Sequence, residues 1–302
     1  MNRRGRELPR PAFADPAREV EFDAAYRELM DRWPIAVTPR TLTSPFGRTH
    51  VHIAGAADAP SLVLLHGGGM TSASWFAVVG PLAERYRVYA VDRIGDAGRS
   101  VHEGRPIRSG DDQLVWLSTV LDGIGVDASA AAHLCGHSTG AHLALRFALR
   151  QPGRVRSVTL LDPPSVFAGL RNSYLVHAAP MLVRPTEVRV GRFLDWETAP
   201  GGLDRTVRRL YVQAGAHFPS SPIVPDRRPR ESDLRSLGVP AHVLLAERSR
   251  CHDAAAVAAT ARRLFADATV DVLPGATHHA MPTENAAGLT GRVRTFLDQH
   301  SR

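Results

Sequence analysis

The chain reads as an α/β fold: a mostly parallel central sheet flanked by helices, interrupted once by a helical insertion. Three observations predict it. Short, nearly all-apolar runs such as Ser61–Leu65 and Val155–Leu161 suit strands buried on both faces, as in a parallel sheet. These runs alternate with longer stretches of helical periodicity, which implies strand–helix–strand units. The alternation stops between residues 165 and 238, where short helical patterns mix with many Pro, Gly and Arg, and then resumes. The expected organisation is an N-terminal arm and helix over 1–34, a core formed by 35–164 and 239–302, and a helical cap over 165–238.

The elements follow in order. Residues 1–15 are rich in Arg and Pro and read as a loose arm with no apolar segment of an export signal. Pro16 opens a helical pattern that places Phe22, Tyr26, Leu29, Met30 and Trp33 at helical spacing, and Pro34 ends it. Its expected role is to pack on the outside of the domain. Thr38–Thr43 and Arg48–Ala54 form a hairpin about Pro45-Phe46-Gly47. The strand Ser61–Leu65 runs into His66-Gly67-Gly68-Gly69. A helix from about Ser74 to Arg85, a strand Tyr86–Val91 closed by a turn at Asp92, and a helix Asp111–Ile124 come next. After the insertion the expectation is a strand Ala241–Ala246, a helix Asp253–Phe265, a strand Thr269–Leu273 and a closing helix Thr283–Gln299.

The composition narrows the function. All 37 basic residues are arginine and the net charge is +7. The arginines are scattered, and even the 11 Arg against 7 acids in residues 163–239 read as a solvated face rather than the basic, aromatic-interleaved stripe of a nucleic-acid binder. No apolar stretch approaches the ~18 residues of a membrane helix, so no membrane partner is expected. Two cysteines, Cys135 and Cys251, give no disulfide framework and suit a reducing, cytoplasmic setting. No CxxC spacing and no G-x-G-x-x-G after a strand is present, so neither a metal nor a cofactor is expected. The partner left is a small-molecule or acyl substrate. The sequence leaves oligomeric state open.

The chemistry centres on Gly136-His137-Ser138-Thr139-Gly140. An apolar run from Ala130 to Cys135 precedes it, and an Ala- and Leu-rich helical stretch stopped by Pro152-Gly153 follows. G-x-S-x-G recurs by chance. On a sharp strand-to-helix turn it acquires meaning, because the two glycines remove clashes and leave the serine hydroxyl proud of the sheet at a helix N-terminus. With the His66-Gly67-Gly68-Gly69 stretch, and with Pro274-Gly275-Ala276-Thr277-His278 before the last helix, the chain resembles the α/β-hydrolase family over residues 35–300. Tyr86–Gly95 is also similar to its bacterial carboxylesterase-like members, and the insertion then corresponds to a cap after the sixth predicted strand.

The resemblance implies a serine hydrolase acting on an ester, thioester or lactone through an acyl-enzyme. Ser138 would be the nucleophile, His278 the base with His279 as its neighbouring alternative, and the backbone N–H groups of Gly68 and Thr139 the oxyanion hole. His137 would support the turn and Trp75 would pack under the glycine loop. The acid departs from the pattern. The family's usual carboxylate position, in the turn after the seventh strand, is occupied by Ser249. Asp162, at the end of the sixth predicted strand, is the first replacement, with Asp253 and Glu247 as the others. The gap also motivates a second reading, a non-hydrolytic protein of this fold: an epimerase, a cyclase or a binding protein.

Overall fold

A computed structural model describes residues 13, 15–198, 202–218 and 227–301; the expected loose arm falls almost entirely outside them. In chain order the strands are β1 (Thr38–Ser44), β2 (Gly47–Ala54), β3 (Ser61–Leu65), β4 (Arg87–Val91), β5 (Val101–His102), β6 (Ala132–His137), β7 (Val155–Leu161), β8 (Ala241–Ala246) and β9 (Ala268–Leu273). The helices are α1 (Pro16–Asp31), α2 (Val79–Ala83), α3 (Gly110–Gly123), α4 (Thr139–Arg150), α5 (Asn172–Val183), α6 (Glu187–Thr198), α7 (Arg205–His217), α8 (Glu231–Arg235), α9 (Ala254–Leu264), α10 (Met281–Glu284) and α11 (Ala286–Gln299).

The strands form one sheet in the order β1-β2-β4-β3-β6-β7-β8-β9, with β5 paired to β2. From β4 to β9 every pairing is parallel, while β2 runs antiparallel to β1, β4 and β5. Alternation along each parallel strand divides the core into two layers. Leu62 and Leu64 face one layer with Val88, Ala90 and Phe296. Val63 and Leu65 face the other with Leu134, Leu145 and Val243. The strand order reverses about β3, which lies between β4 and β6. Their carboxyl ends therefore open a crevice at that point, where ligands bind in folds of this class. Both the glycine loop after β3 and the serine turn after β6 border it.

Several expectations are corrected in detail. The single helix expected from Ser74 to Arg85 is a 3₁₀ turn, Ser72–Ala77, followed by the short α2. Pro81 has no N–H to donate to the Ala77 carbonyl, and this missing bond favours a break at Val78 with Pro81 in the first turn of α2. The closing helix likewise divides into α10 and α11 at Asn285, whose ψ of 35° is not helical. The two-residue β5 is too short for any periodicity to announce it. Helix α1 packs with one face inward and its opposite face exposed. Phe22, Ala25, Tyr26 and Leu29 are buried on one face, and the helix is ion-paired to α7 through Glu28–Arg209. Between β7 and β8 the described residues hold α5 to α8 and no strand.

Candidate active site

Ser138 sits where β6 passes into α4. Its backbone has φ 53° and ψ −123°, a conformation that costs an L-residue free energy and persists only where the surroundings enforce it. The enforcement comes from close packing. A Cβ on Gly136 would lie 2.3 Å from the Gly140 backbone, and one on Gly140 would lie 2.2 Å from the Leu65 carbonyl oxygen. The Ser138 amide donates to the Leu161 carbonyl at 3.0 Å, which ties the turn to the end of β7.

Three of the sequence-selected residues meet here. Ser138 Oγ lies 2.8 Å from His278 Nε2, and His278 Nδ1 lies 2.7 Å from Asp162 Oδ2. The carboxylate accepts from Nδ1–H, so Nε2 carries the lone pair facing the hydroxyl. Asp162 is fully buried, and its backbone φ of 43° turns the chain sharply at the end of β7. Its other donors are the Ala246 amide at 3.0 Å, His252 Nε2 at 3.0 Å and Ser249 Oγ at 2.7 Å. Ser249, the residue in place of the usual acid, thus donates to the carboxylate that reaches the histidine. The other two acid alternatives do not reach it. Asp253 caps α9 by accepting from the Ala256 amide and pairs with Arg171 at the surface. Glu247 is exposed and accepts from the Gly275 amide at 2.8 Å.

Electrostatics follow from this geometry. Burial alone would raise the Asp162 carboxyl. Hydrogen bonds and charge from His252 and His278 outweigh it and hold the group well below the usual carboxylate range. For His278, burial opposes the charged form, but its hydrogen bonds to Cys251 and Asp162 and the charge on Asp162 move it well above the usual imidazole value. Burial pushes the Cys251 thiol itself up. The sulfur is therefore neutral, and Asp162 is the anion that acts on the imidazole. Ligand atoms of Asp162, Cys251 and His278 lie within 4.8 Å of one another. A metal there would have to displace the proton shared by the carboxylate and imidazole.

The glycine loop is held by its histidine. His66 Nδ1 donates to the Gly67 carbonyl at 2.8 Å and Nε2 accepts the Arg93 amide at 2.9 Å. Each partner can play only one role, which fixes the tautomer. Gly68 and Thr139 line the cavity beside Ser138, and a Cβ on Gly68 would stand 3.8 Å from Thr139 Oγ1. Arg93 donates to that Oγ1 at 2.5 Å. His137, expected to support the serine turn, donates from Nε2 to the His278 carbonyl at 2.9 Å and so holds the His278 loop. Trp75 packs beside His66, Gly67 and Met70, under the loop.

The cavity in front of Ser138 measures about 410 Å³. Ile94, Ile107, Trp116 and Leu143 wall it on the sheet side, and Tyr174, Met181, Val190, Tyr211 and Phe218 on the side of α5 to α7. Phe193 and Trp196 instead pack within the α5–α7 layer, and Phe167 packs against Phe265. The cap aromatics therefore divide between the cavity wall and the apolar core.

His252, which donates to Asp162, and Glu197 were not selected from the sequence. Glu197 of α6 is fully buried and accepts from the His278 amide at 3.0 Å, the His279 amide at 3.1 Å and His279 Nδ1 at 3.0 Å. Its signal was present. Val190, Phe193, Leu194 and Glu197 share the i, i+3, i+4, i+7 spacing of one buried helix face, and a carboxylate on an apolar stripe demands a partner.

The model of a family described as the alpha/beta hydrolase family matches residues 62–290. The chain belongs to that family. A protein of Bacillus subtilis strain 168 described as an uncharacterized carboxylesterase nap is 28% identical over 286 residues, covering 92% of this chain and 93% of its own. The crystal structure of naproxen esterase (carboxylesterase NP) from Bacillus subtilis superposes with a TM-score of 0.83 at 28% identity, covering 95% of this chain and all of that one. Carboxylesterase CesB (YbfK) from Bacillus subtilis gives 0.85 at 26%, covering 93% and 98%. This α/β-hydrolase chain thus has carboxylesterase-like relatives along almost its whole length.

Proposed function

We propose that this α/β-hydrolase is a carboxylic ester hydrolase working through an acyl-enzyme on Ser138. The observation that carries the reading is the continuous run Asp162–His278–Ser138, with spacings of 2.7 and 2.8 Å, at the wall of a 410 Å³ cavity. The carboxylesterase relatives point the same way. In this reading Ser138 Oγ attacks the ester carbonyl carbon as His278 Nε2 takes its proton. Asp162 keeps the imidazole in the required tautomer and stabilises the imidazolium. The N–H groups of Gly68 and Thr139 receive the charge that develops on the carbonyl oxygen. Collapse of the tetrahedral intermediate expels the alcohol, protonated by His278. A water molecule then repeats the sequence on the acyl-enzyme and releases the acid.

A carboxylate at His278 despite Ser249 supports hydrolysis over the epimerase, cyclase or binding-protein alternative. The apolar cavity walls suit neutral esters with bulky hydrocarbon groups. Residues 165–238 act as the cap, 35–164 with 239–302 as the core, and 1–34 as an arm and helix. No helix among the described residues is long and apolar enough to cross a membrane, and two free, buried cysteines fit a cytoplasmic setting.

The test is stoichiometric labelling by a fluorophosphonate, located on Ser138 by peptide mass analysis, together with turnover of p-nitrophenyl esters. Loss of both in Ser138→Ala is expected. Labelling elsewhere, or ester turnover that survives the substitution, would refute the reading.

A further inference from the structure

The loop Pro274–Ala280 carries His278 but belongs to no helix or strand. The residues that hold it come from elsewhere. His137 takes the His278 carbonyl. The His278 and His279 amides show no backbone acceptor among the described residues and both donate to Glu197, which belongs to α6. A carboxylate at this depth is costly unless its lone pairs are used. Here two amides and the His279 imidazole use them.

The far side of His279 continues the connection. Its Nε2 lies 3.4 Å from the Tyr211 hydroxyl of α7. The Tyr211 ring covers Gly69, where a Cβ would stand 2.8 Å from it. Two adjacent histidines thus each have a private buried carboxylate and a hydroxyl. His278 has Asp162 and Ser138, and His279 has Glu197 and Tyr211. The first set lies wholly in the core. The second has its acid and its hydroxyl in the insertion and only its imidazole in the core.

We propose that Glu197 is a positioning residue: an insertion-borne carboxylate that clasps the His278 loop and sets the imidazole against Ser138, so that the base is aligned only while α6 and α7 are seated. The inference rests on the reading of Ser138 and His278 above. Glu197 touches no reacting atom. It acts through the backbone of His278 and through the field of its charge. The titratable groups facing His278 are Asp162 from the end of β7, Cys251 and His252 from the loop after β8, His137 from the end of β6, Glu197 from α6 and the neighbouring His279. Burial alone would raise Glu197, but the His279 imidazole and the bonded amides hold it at about 2, so it is anionic over the working range. An anion there favours the His278 imidazolium, and its removal lowers the pH at which the base becomes available.

The experiment compares wild type, Glu197→Gln and Glu197→Asp in kcat, KM and the pH dependence of fluorophosphonate labelling at Ser138. For E197Q the expected result is a fall in kcat of tenfold or more, a KM within about threefold of wild type, and an acid limb moved to lower pH by about half a unit or more. E197D keeps the charge but is one methylene short. It is expected to keep the limb and lose at least about threefold in kcat. A residue that only stabilised the fold would lower the melting temperature and leave the limb of the folded fraction in place. Wild-type kcat and limb in E197Q would overturn the inference, as would unchanged kcat in E197D should E197Q fail to fold. If the wild type is not labelled at Ser138, the hydrolase reading fails and this inference falls with it. Labelled wild type with indifferent Glu197 variants removes the inference alone.

Discussion

At the residue scale the carboxylate that reaches His278 comes from the end of β7 and not from the turn after β8. Asp162 is fully buried and accepts four hydrogen bonds, and its charge partners among the described residues are His252 and His278. Asp162→Asn is expected to lower kcat by about 10⁴, because an amide can present its NH₂ to Nδ1 and stabilise the wrong tautomer. Circular dichroism should show the fold retained, and p-nitrophenyl ester turnover reads the loss. Ser249 Oγ lies 2.7 Å from Asp162 Oδ2, so a carboxylate placed there would enter the same polar cluster. The double variant Asp162→Asn with Ser249→Asp is therefore expected to recover at least about tenfold over the single one. Failure to recover would mean that position 249 cannot address Nδ1. The pH profile gives a third outcome. The base must be neutral, and His278 holds its proton to higher pH than an ordinary imidazole. The acid limb of kcat/KM is thus expected above pH ~6.5, with activity falling as pH drops through it. A limb near or below that value would contradict the electrostatic account.

At the scale of elements, the sharp passage from β6 to α4 concentrates the constraint. Gly136→Ala would drive a methyl into the Gly140 backbone at 2.3 Å, where no side chain can move aside. A loss of about 3 kcal/mol or more is expected, read as a lowered denaturant midpoint, and an unchanged midpoint would mean that the turn relaxes freely. This passage was legible in the sequence because its cause is local: an apolar run, two glycines, and a helix-forming stretch within twenty residues. The parallel strands were legible for a similar reason, since burial on both faces demands unbroken apolar runs. The acid was legible as a set of three with Asp162 first. Choosing Asp162 over Asp253 and Glu247 depends on which strand ends lie beside His278, a tertiary fact that spacing does not encode. Glu197 had a local signal, a charge on the buried stripe of α6, but its partners are 81 and 82 residues away. The break at Val78, ahead of Pro81, was equally local.

At the scale of the whole molecule, the question is what seats α6 and α7 over the sheet. Helix α1 presents Phe22, Ala25, Tyr26 and Leu29 inward, and its outer edge carries ion pairs to both neighbours. Arg18 meets Glu187 of α6 and Arg32 meets Asp204 at the start of α7, while Asp23 meets Arg99 of the core. Tyr26 also donates to Asp92 at 2.9 Å, a buried carboxylate that further accepts from Ser72 and the Arg99 amide. Asp92 is therefore a hub under α1 and more than the turn residue expected from its place after β4. Exposed ion pairs are screened by solvent and salt, so the apolar face must supply most of the hold. Leu29→Ala is expected to cost about 3 kcal/mol, in the range for removing a buried leucine side chain. The loss should not be uniform. If α1 is what seats the insertion, amides of α7 (residues 205–217) should exchange with deuterium much faster in the variant, while β6 and β7 keep their protection until global unfolding. Hydrogen-exchange mass spectrometry separates the two cases. Equal acceleration in α7 and the central strands would show that α1 belongs to one cooperative unit with the sheet, and the insertion would then have no independent seat to lose.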